Sequence, residues 1–257
     1  MAEIKDRILP VGIQSFEEIR KKGYLYVDKT DIIWQLANRG RKYNYLNRPR
    51  RFGKSVLVDT LQAYFEGRKE LFEGLKIMDL ETEWTKHPVI RLDMSRAGSS
   101  AHELNAYLNQ AFKEYEQKYN IETSPSDSLP NRFDAIIQSA YQQTGQQVVV
   151  LVEGYDSPLL NSWNTPHHEE CVSIYLNVFT ILKADDEYEE FVLITGTTKF
   201  TKLSLFSGLN NLSNISFEPE YAAICGITKE ELQNDFKPEI EKLADYENWT
   251  FDEAVAQ

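Results

Sequence analysis

The chain has 257 residues, with 28 Lys+Arg against 40 Asp+Glu and a formal net charge of −12. This length can bury a substantial core, and a composition of 42% hydrophobic and 26% charged residues excludes a wholly disordered chain. The acidic balance argues against a general binder of nucleic acid or anionic membranes, while leaving room for a local basic patch.

In chain order, Phe16 to Lys22 reads as a short helix behind Ser15, and Tyr24 to Asp28 as a short extended stretch. A helix opens at Lys29-Thr30-Asp31 and runs through Ala37. Tyr43 to Leu46 is a strand, Asn47 to Gly53 a turn, and Lys54 to about Glu66 a helix ending at Gly67. Val89 to Asp93 is a second strand, followed by a long amphipathic helix from about Ala101 to Tyr119. Ser124 to Pro130 is a polar loop, and a helix from about Arg132 to Gln143 follows it. Gln147 to Val152 has the continuous β-branched character of a strand buried on both faces. A helix over His168 to Lys183 leads to a fourth strand, Glu190 to Thr195, and an acidic helical tail begins after Thr228. Strands alternating with long helices imply an α/β fold with a parallel sheet, in which ligands bind beyond the C-terminal strand ends.

Other signals are few. Cys171 and Cys225 have neither a disulfide-framework nor a zinc spacing, so a reducing cytoplasm is the simplest compartment. The charged start, Met1 to Arg7, precedes no apolar segment, and the longest apolar run falls far short of the roughly 20 residues that a membrane helix needs. The expectation is a soluble protein with no membrane partner.

Charge is unevenly placed. From Arg39 to Lys54 there are seven basic residues and no acidic one, while Glu218 to the end carries eleven acids against three lysines. A cationic stretch in an acidic chain points to one anion site, or to a basic loop paired with nearby acids. Its core is Arg48-Pro49-Arg50-Arg51-Phe52-Gly53-Lys54-Ser55. Gly53, Lys54 and Ser55 fit the phosphate-loop pattern, with Arg48 at the position of its first glycine. Strand, turn and helix start would aim backbone N–H groups and the positive helix end at phosphates. Lys54 would bridge outer phosphates and Ser55 would hold Mg²⁺; a basic turn with a helix cap is the plainer alternative. The hydroxyl-rich Thr195-Gly196-Thr197-Thr198-Lys199 at the fourth strand end places Thr198 and Lys199 to meet an outer phosphate or attacking water, or else to cap the strand.

These segments make the sequence resemble the predicted AAA-ATPase-like family of bacterial and archaeal proteins. The matching stretches run from Leu9-Pro10-Val11-Gly12 through Tyr26-Val27-Asp28-Lys29 and Arg48 to Ser55 to Phe206-Ser207-Gly208-Leu209, in the right order. The resemblance implies an additional-strand P-loop ATPase core, with an acidic motif on the third strand and a sensor position on the fourth. It also implies ATP and Mg²⁺ as ligands, Asp28 near the base or ribose, and a nuclease-like domain following a helical lid. Helix capping accounts for Asp28 almost as well.

The acidic motif departs from the pattern. Where the family has Asp-Glu-Tyr-Asp, this chain has Glu153-Gly154-Tyr155-Asp156. Glu153 keeps the charge and reaches Mg²⁺ through water. Gly154 cannot activate water, a function typically worth ~10²–10⁴-fold. Asp156, two residues beyond Gly154, substitutes in part if the chain turns there; otherwise it is a structural acid at the strand end. The expectation is an ATP-binding domain over residues 1–217, weak or inactive in hydrolysis, with a partial lid over 218–257. A chain stopping at Gln257 within the lid is expected to self-associate, to take a protein partner there, or to have a mobile tail. Two other readings stay open: an interaction module with an unused pocket, and nucleic-acid engagement through Arg39–Lys54.

Overall fold

The computed structural model describes residues 8–124, 127–198 and 212–256. Five strands, β1 (Tyr43–Asn47), β2 (Val89–Asp93), β3 (Val148–Glu153), β4 (Glu189–Gly196) and β5 (Ser213–Asn214), form one sheet in the order β2-β3-β4-β1-β5. Every pairing is parallel. β4 therefore stands between the strand that carries the basic loop and the strand that ends in Glu153.

Side-chain alternation on the strands builds two cores. Val148, Val150 and Val152 of β3, with Val192 and Ile194 of β4, face one side. There they meet α4 (Ala101–Lys118), α5 (Leu129–Thr144) and α7 (His168–Phe179). Val149, Leu151, Phe191 and Leu193 face the other side, against α2 (Thr30–Asn38) and α3 (Lys54–Phe65). Burial on both faces is why β3 reads as an unbroken apolar run.

Local chemistry sets the element ends. A capping box between Ser100 and Glu103 starts α4. Ser128 caps α5 and Pro130 sits in its first turn, so α5 begins at Leu129, earlier than the polar loop suggested. The helix expected over 168–183 is split into α7 and α8 (Ile181–Ala184); the Thr180 hydroxyl donates back to Leu176 O at the break. α6 (Ser157–Ser162) and the two-residue β5 were not expected. Residues 24–28 join no strand.

The C-terminal segment contains α9 (Lys229–Asp235), α10 (Lys237–Glu247) and α11 (Phe251–Ala256). Tyr221, Ile224 and Cys225 ahead of it belong to the α3 side of the core, whereas Ile240, Ala244 and Ala254 form a small separate cluster. An ion pair of 2.6 Å between Lys29 and Glu231 ties α9 to the start of α2. Among the described residues, no helix is long and apolar enough to cross a membrane.

Candidate functional site

The chain leaves β1 at Asn47 and enters α3 at Lys54, and the six residues between them wrap over the helix start. Arg51 (φ 64°) and Gly53 (φ 83°) take left-handed backbone, whereas Arg48 does not. The first position of the loop thus makes no demand for glycine. Arg48 instead turns its guanidinium away from the loop, donating to Ser216 O (3.0 Å) and Tyr221 O (3.1 Å). It fastens the loop to the segment after β5. Pro49, Arg50, Arg51, Phe52 and Gly53 are exposed.

Lys54 folds back across the loop, and its ammonium donates to Arg48 O and Pro49 O, each at 2.8 Å. An ammonium has three protons, so among the described residues one donor is left to aim at an anion. Burial pushes this ammonium below its ordinary pKa, with the acids at Asp156 and Glu153 opposing the shift. Ser55, on the first turn of α3, donates its hydroxyl to Glu153 Oε1 in a very short bond. The loop and the acidic strand end are therefore joined across β4.

Beyond Glu153 the backbone leaves the strand direction at once. Gly154 has φ 61°, and a Cβ built there would lie 3.2 Å from Ser157 Oγ and 3.4 Å from Ser95 N. Tyr155 and Asp156 then turn into the core, with Asp156 only 1% exposed. Asp156 Oδ2 accepts from Thr197 N (2.8 Å), Thr198 N (2.7 Å) and Thr198 Oγ1 (3.0 Å). Thr198 O accepts from the hydroxyls of Tyr45 and Tyr155, both at 2.9 Å. The turn after β4 is thus gripped from both sides. Gly196 is required for this closeness, since a Cβ there would come within 2.6 Å of the Tyr155 ring. Lys199 lies outside the described residues.

Beside Gly53 an apolar cavity of about 430 Å³ opens between the N-terminal segment and the residues leading to α9. Val11, Tyr26, Val27, Phe52, Ile224 and Phe236 are among its walls. Asp28 is engaged elsewhere: Oδ1 accepts from Thr30 N (2.9 Å) and Oγ1 (2.6 Å), and Oδ2 from Lys76 N (2.8 Å). It anchors Thr30, the first residue of α2, and holds the segment that follows α3. Lys29 is the neighbour that lines the cavity.

The structure thus gathers Lys54, Ser55, Glu153, Asp156 and Thr198 at one end of the sheet and leaves Asp28 outside the group. Sequence reasoning missed Arg91, which bonds Glu153, and the support that Tyr45 and Tyr155 give Thr198; Arg91 and Tyr45 stand within strands and Tyr155 within the acidic motif, and no pattern in the sequence says what their side chains meet. Among the described residues, no group of three His, Cys, Asp or Glu side chains could hold a metal by itself. The Ser55 hydroxyl beside the Glu153 carboxylate fits an Mg²⁺ that arrives on phosphate oxygens, since such a cation keeps most of its shell as phosphate and water.

A five-strand parallel sheet with β4 inserted between β1 and β3, and a Gly-Lys-Ser loop running from β1 into α3, defines a P-loop NTPase-like α/β core. The chain belongs to the predicted AAA-ATPase family, whose sequence profile matches residues 10–206. It is 38% identical over 239 residues to an uncharacterized protein in the vnfD 5' region of Azotobacter chroococcum mcd 1; that stretch covers 91% of this chain and 46% of the relative. The chain therefore spans about half the length of that relative.

Proposed function

We propose that this protein binds ATP with Mg²⁺ at the Arg48–Ser55 loop and hydrolyses it slowly or not at all. The observation that carries the reading is the Lys54 ammonium, held at the helix start on two loop carbonyls. Phosphates would lie against the loop amides and this ammonium. The flat apolar base would enter the cavity beside Phe52 and Ile224. When bound, Mg²⁺ supplies charge compensation on the outer phosphate oxygens, with Ser55 and Glu153 as its protein contacts.

Slow hydrolysis follows from two features. Gly154 has no side chain to order a water, and the Asp156 carboxylate is already committed to three donors of the β4 turn. In this reading Asp156 is a positioning residue that presents Thr198 toward the outer phosphate.

Calorimetric titration of ATP·Mg²⁺ tests the reading. Micromolar binding is expected, and Lys54→Ala should weaken it about 10–100-fold, as loss of one charge-assisted bond worth roughly 1.5–3 kcal/mol implies. No binding to the unaltered protein overturns the nucleotide reading and favours a fold reused for protein contacts. Turnover should stay negligible in Gly154→Glu as well, because a side chain at this left-handed residue costs about 1–2 kcal/mol and starts from a tight contact with the Ser157 hydroxyl, so the carboxylate is not held where a water would attack. A phosphate-release assay giving rapid turnover in either protein contradicts this.

A further inference from the structure

Arg91 lies in the middle of β2, and its guanidinium spans the gap between β3 and α3. It donates to Glu153 Oε2 at 3.1 Å, to Asp59 Oδ1 at 2.7 Å and to Gln62 Oε1 at 3.1 Å. Its backbone is clamped as well: Tyr115 OH accepts from Arg91 N at 2.7 Å and donates to Arg91 O at 3.1 Å. The side chains of Arg91, Asp59 and Glu153 are 26%, 24% and 13% exposed, so salt screens these pairs only in part. Burial opposes the guanidinium charge, but its bonds to Asp59 and Glu153 outweigh that and hold its pKa above the ordinary value.

The consequence falls on Glu153. One of its oxygens accepts from Ser55, the other from Arg91. A carboxylate at this strand end strengthens metal binding through its charge, and here a guanidinium shared with Asp59 offsets part of that charge. A planar guanidinium suits this place, since one fork can hold two acids on different elements at once.

We propose that Arg91 is a built-in cation on the metal side of the phosphate loop, so that this chain takes nucleoside triphosphate with little dependence on Mg²⁺. The inference rests on the nucleotide-binding reading above. Arg91 acts through Glu153 and sets how strongly the metal and the nucleotide favour each other. Removing it returns the uncompensated acid and makes the metal matter more.

The test is ATP affinity of the full chain, measured by calorimetry with excess Mg²⁺ and again with EDTA. The two dissociation constants should agree within about threefold in the unaltered protein, below the 5–150-fold typical of coupled sites. In Arg91→Gln the ratio should rise to about tenfold or more, with Arg91→Lys between them because a single ammonium cannot fork to both acids. A ratio above about threefold in the unaltered protein, or one that Arg91→Gln leaves unchanged, overturns the inference while leaving nucleotide binding intact. Binding in neither buffer overturns the nucleotide reading, and this inference with it. The comparison of buffers needs no variant, so it stands even if Arg91→Gln fails to fold.

Discussion

Asp156→Ala should destabilise the protein by about 2–4 kcal/mol, because three bonds to a buried carboxylate are lost and charge-assisted bonds are each worth roughly 1.5–3 kcal/mol with strong non-additivity. The lower end reflects water reaching the freed donors, since Thr198 is exposed. Asp156→Asn should cost only about 1 kcal/mol, as its amide oxygen can take the place of Oδ2 and keep the three contacts without the charge. Urea unfolding measures both. Hydrogen exchange gives a local readout: the amides of Thr197 and Thr198 should lose protection in the alanine variant before the strand amides of β4 do. An alanine variant less than 1 kcal/mol below the parent would mean that the carboxylate does not hold the turn, and the positioning role assigned to it would fall.

The same residue marks where sequence reading runs out. The parallel sheet was legible because β2, β3 and β4 carry β-branched and aliphatic residues, and β1 aromatic ones, over the right length between helices, and the loop was legible because glycine, lysine and serine fall where a strand hands over to a helix. Which acids would face the loop was only half legible. Glu153 follows from its place at a strand end. Asp156 does not, because its direction depends on the left-handed turn at Gly154, and nothing in a one-dimensional pattern says that the chain reverses there. Arg91 was read as one more residue of a strand; its role depends on α3 lying across β2 so that Asp59 comes within reach. β5 was invisible for another reason: Ser213 and Asn214 are too few and too polar to give a strand signal, and only the open edge of β1 makes them one.

Asp28 teaches the opposite lesson. Its neighbourhood pointed equally to a nucleotide contact and to a cap, and the three donors from Thr30 and Lys76 use the carboxylate for packing two elements together. The side chain beside it, Lys29, is the one that reaches the cavity. Its pairing with Glu231 ties the capping-box acid of α9 to a residue that lines the cavity.

At the other end of the sheet, Glu189→Gln should stabilise the protein in alkali and change little in acid. Glu189 is fully buried at the start of β4, and Oε1 has no hydrogen-bond partner among the described residues. Burial pushes its carboxyl up to about 8, with Asp185 and Asp186 adding to the shift and the Tyr43 hydroxyl and Lys42 opposing it. Asp185 beside it is raised to about 7, by burial first and then by Asp134, with Glu187 adding to it. Tyr43 OH lies 2.7 Å from Glu189 Oε2, 2.8 Å from Leu182 O and 3.0 Å from Asp186 Oδ1. One hydroxyl proton cannot serve three acceptors, and a protonated Glu189 relieves the shortage by donating to the tyrosine oxygen. In the unfolded chain the same carboxyl ionises near the ordinary value of 4.5. The stability it contributes is therefore complete below that value and is lost as the pH rises to about 8, where the native state must bury an anion. Glutamine stays neutral throughout, so its advantage over the parent should be below about 1 kcal/mol at pH 5 and reach about 4–5 kcal/mol at pH 9, on the order that a shift from 4.5 to about 8 implies. Part of the alkaline loss should persist in the variant, because Asp185 titrates in the same direction. Denaturant unfolding across that pH range measures the difference, and a Glu189→Gln profile parallel to the parent's would show that Glu189 is ionised in the folded protein throughout.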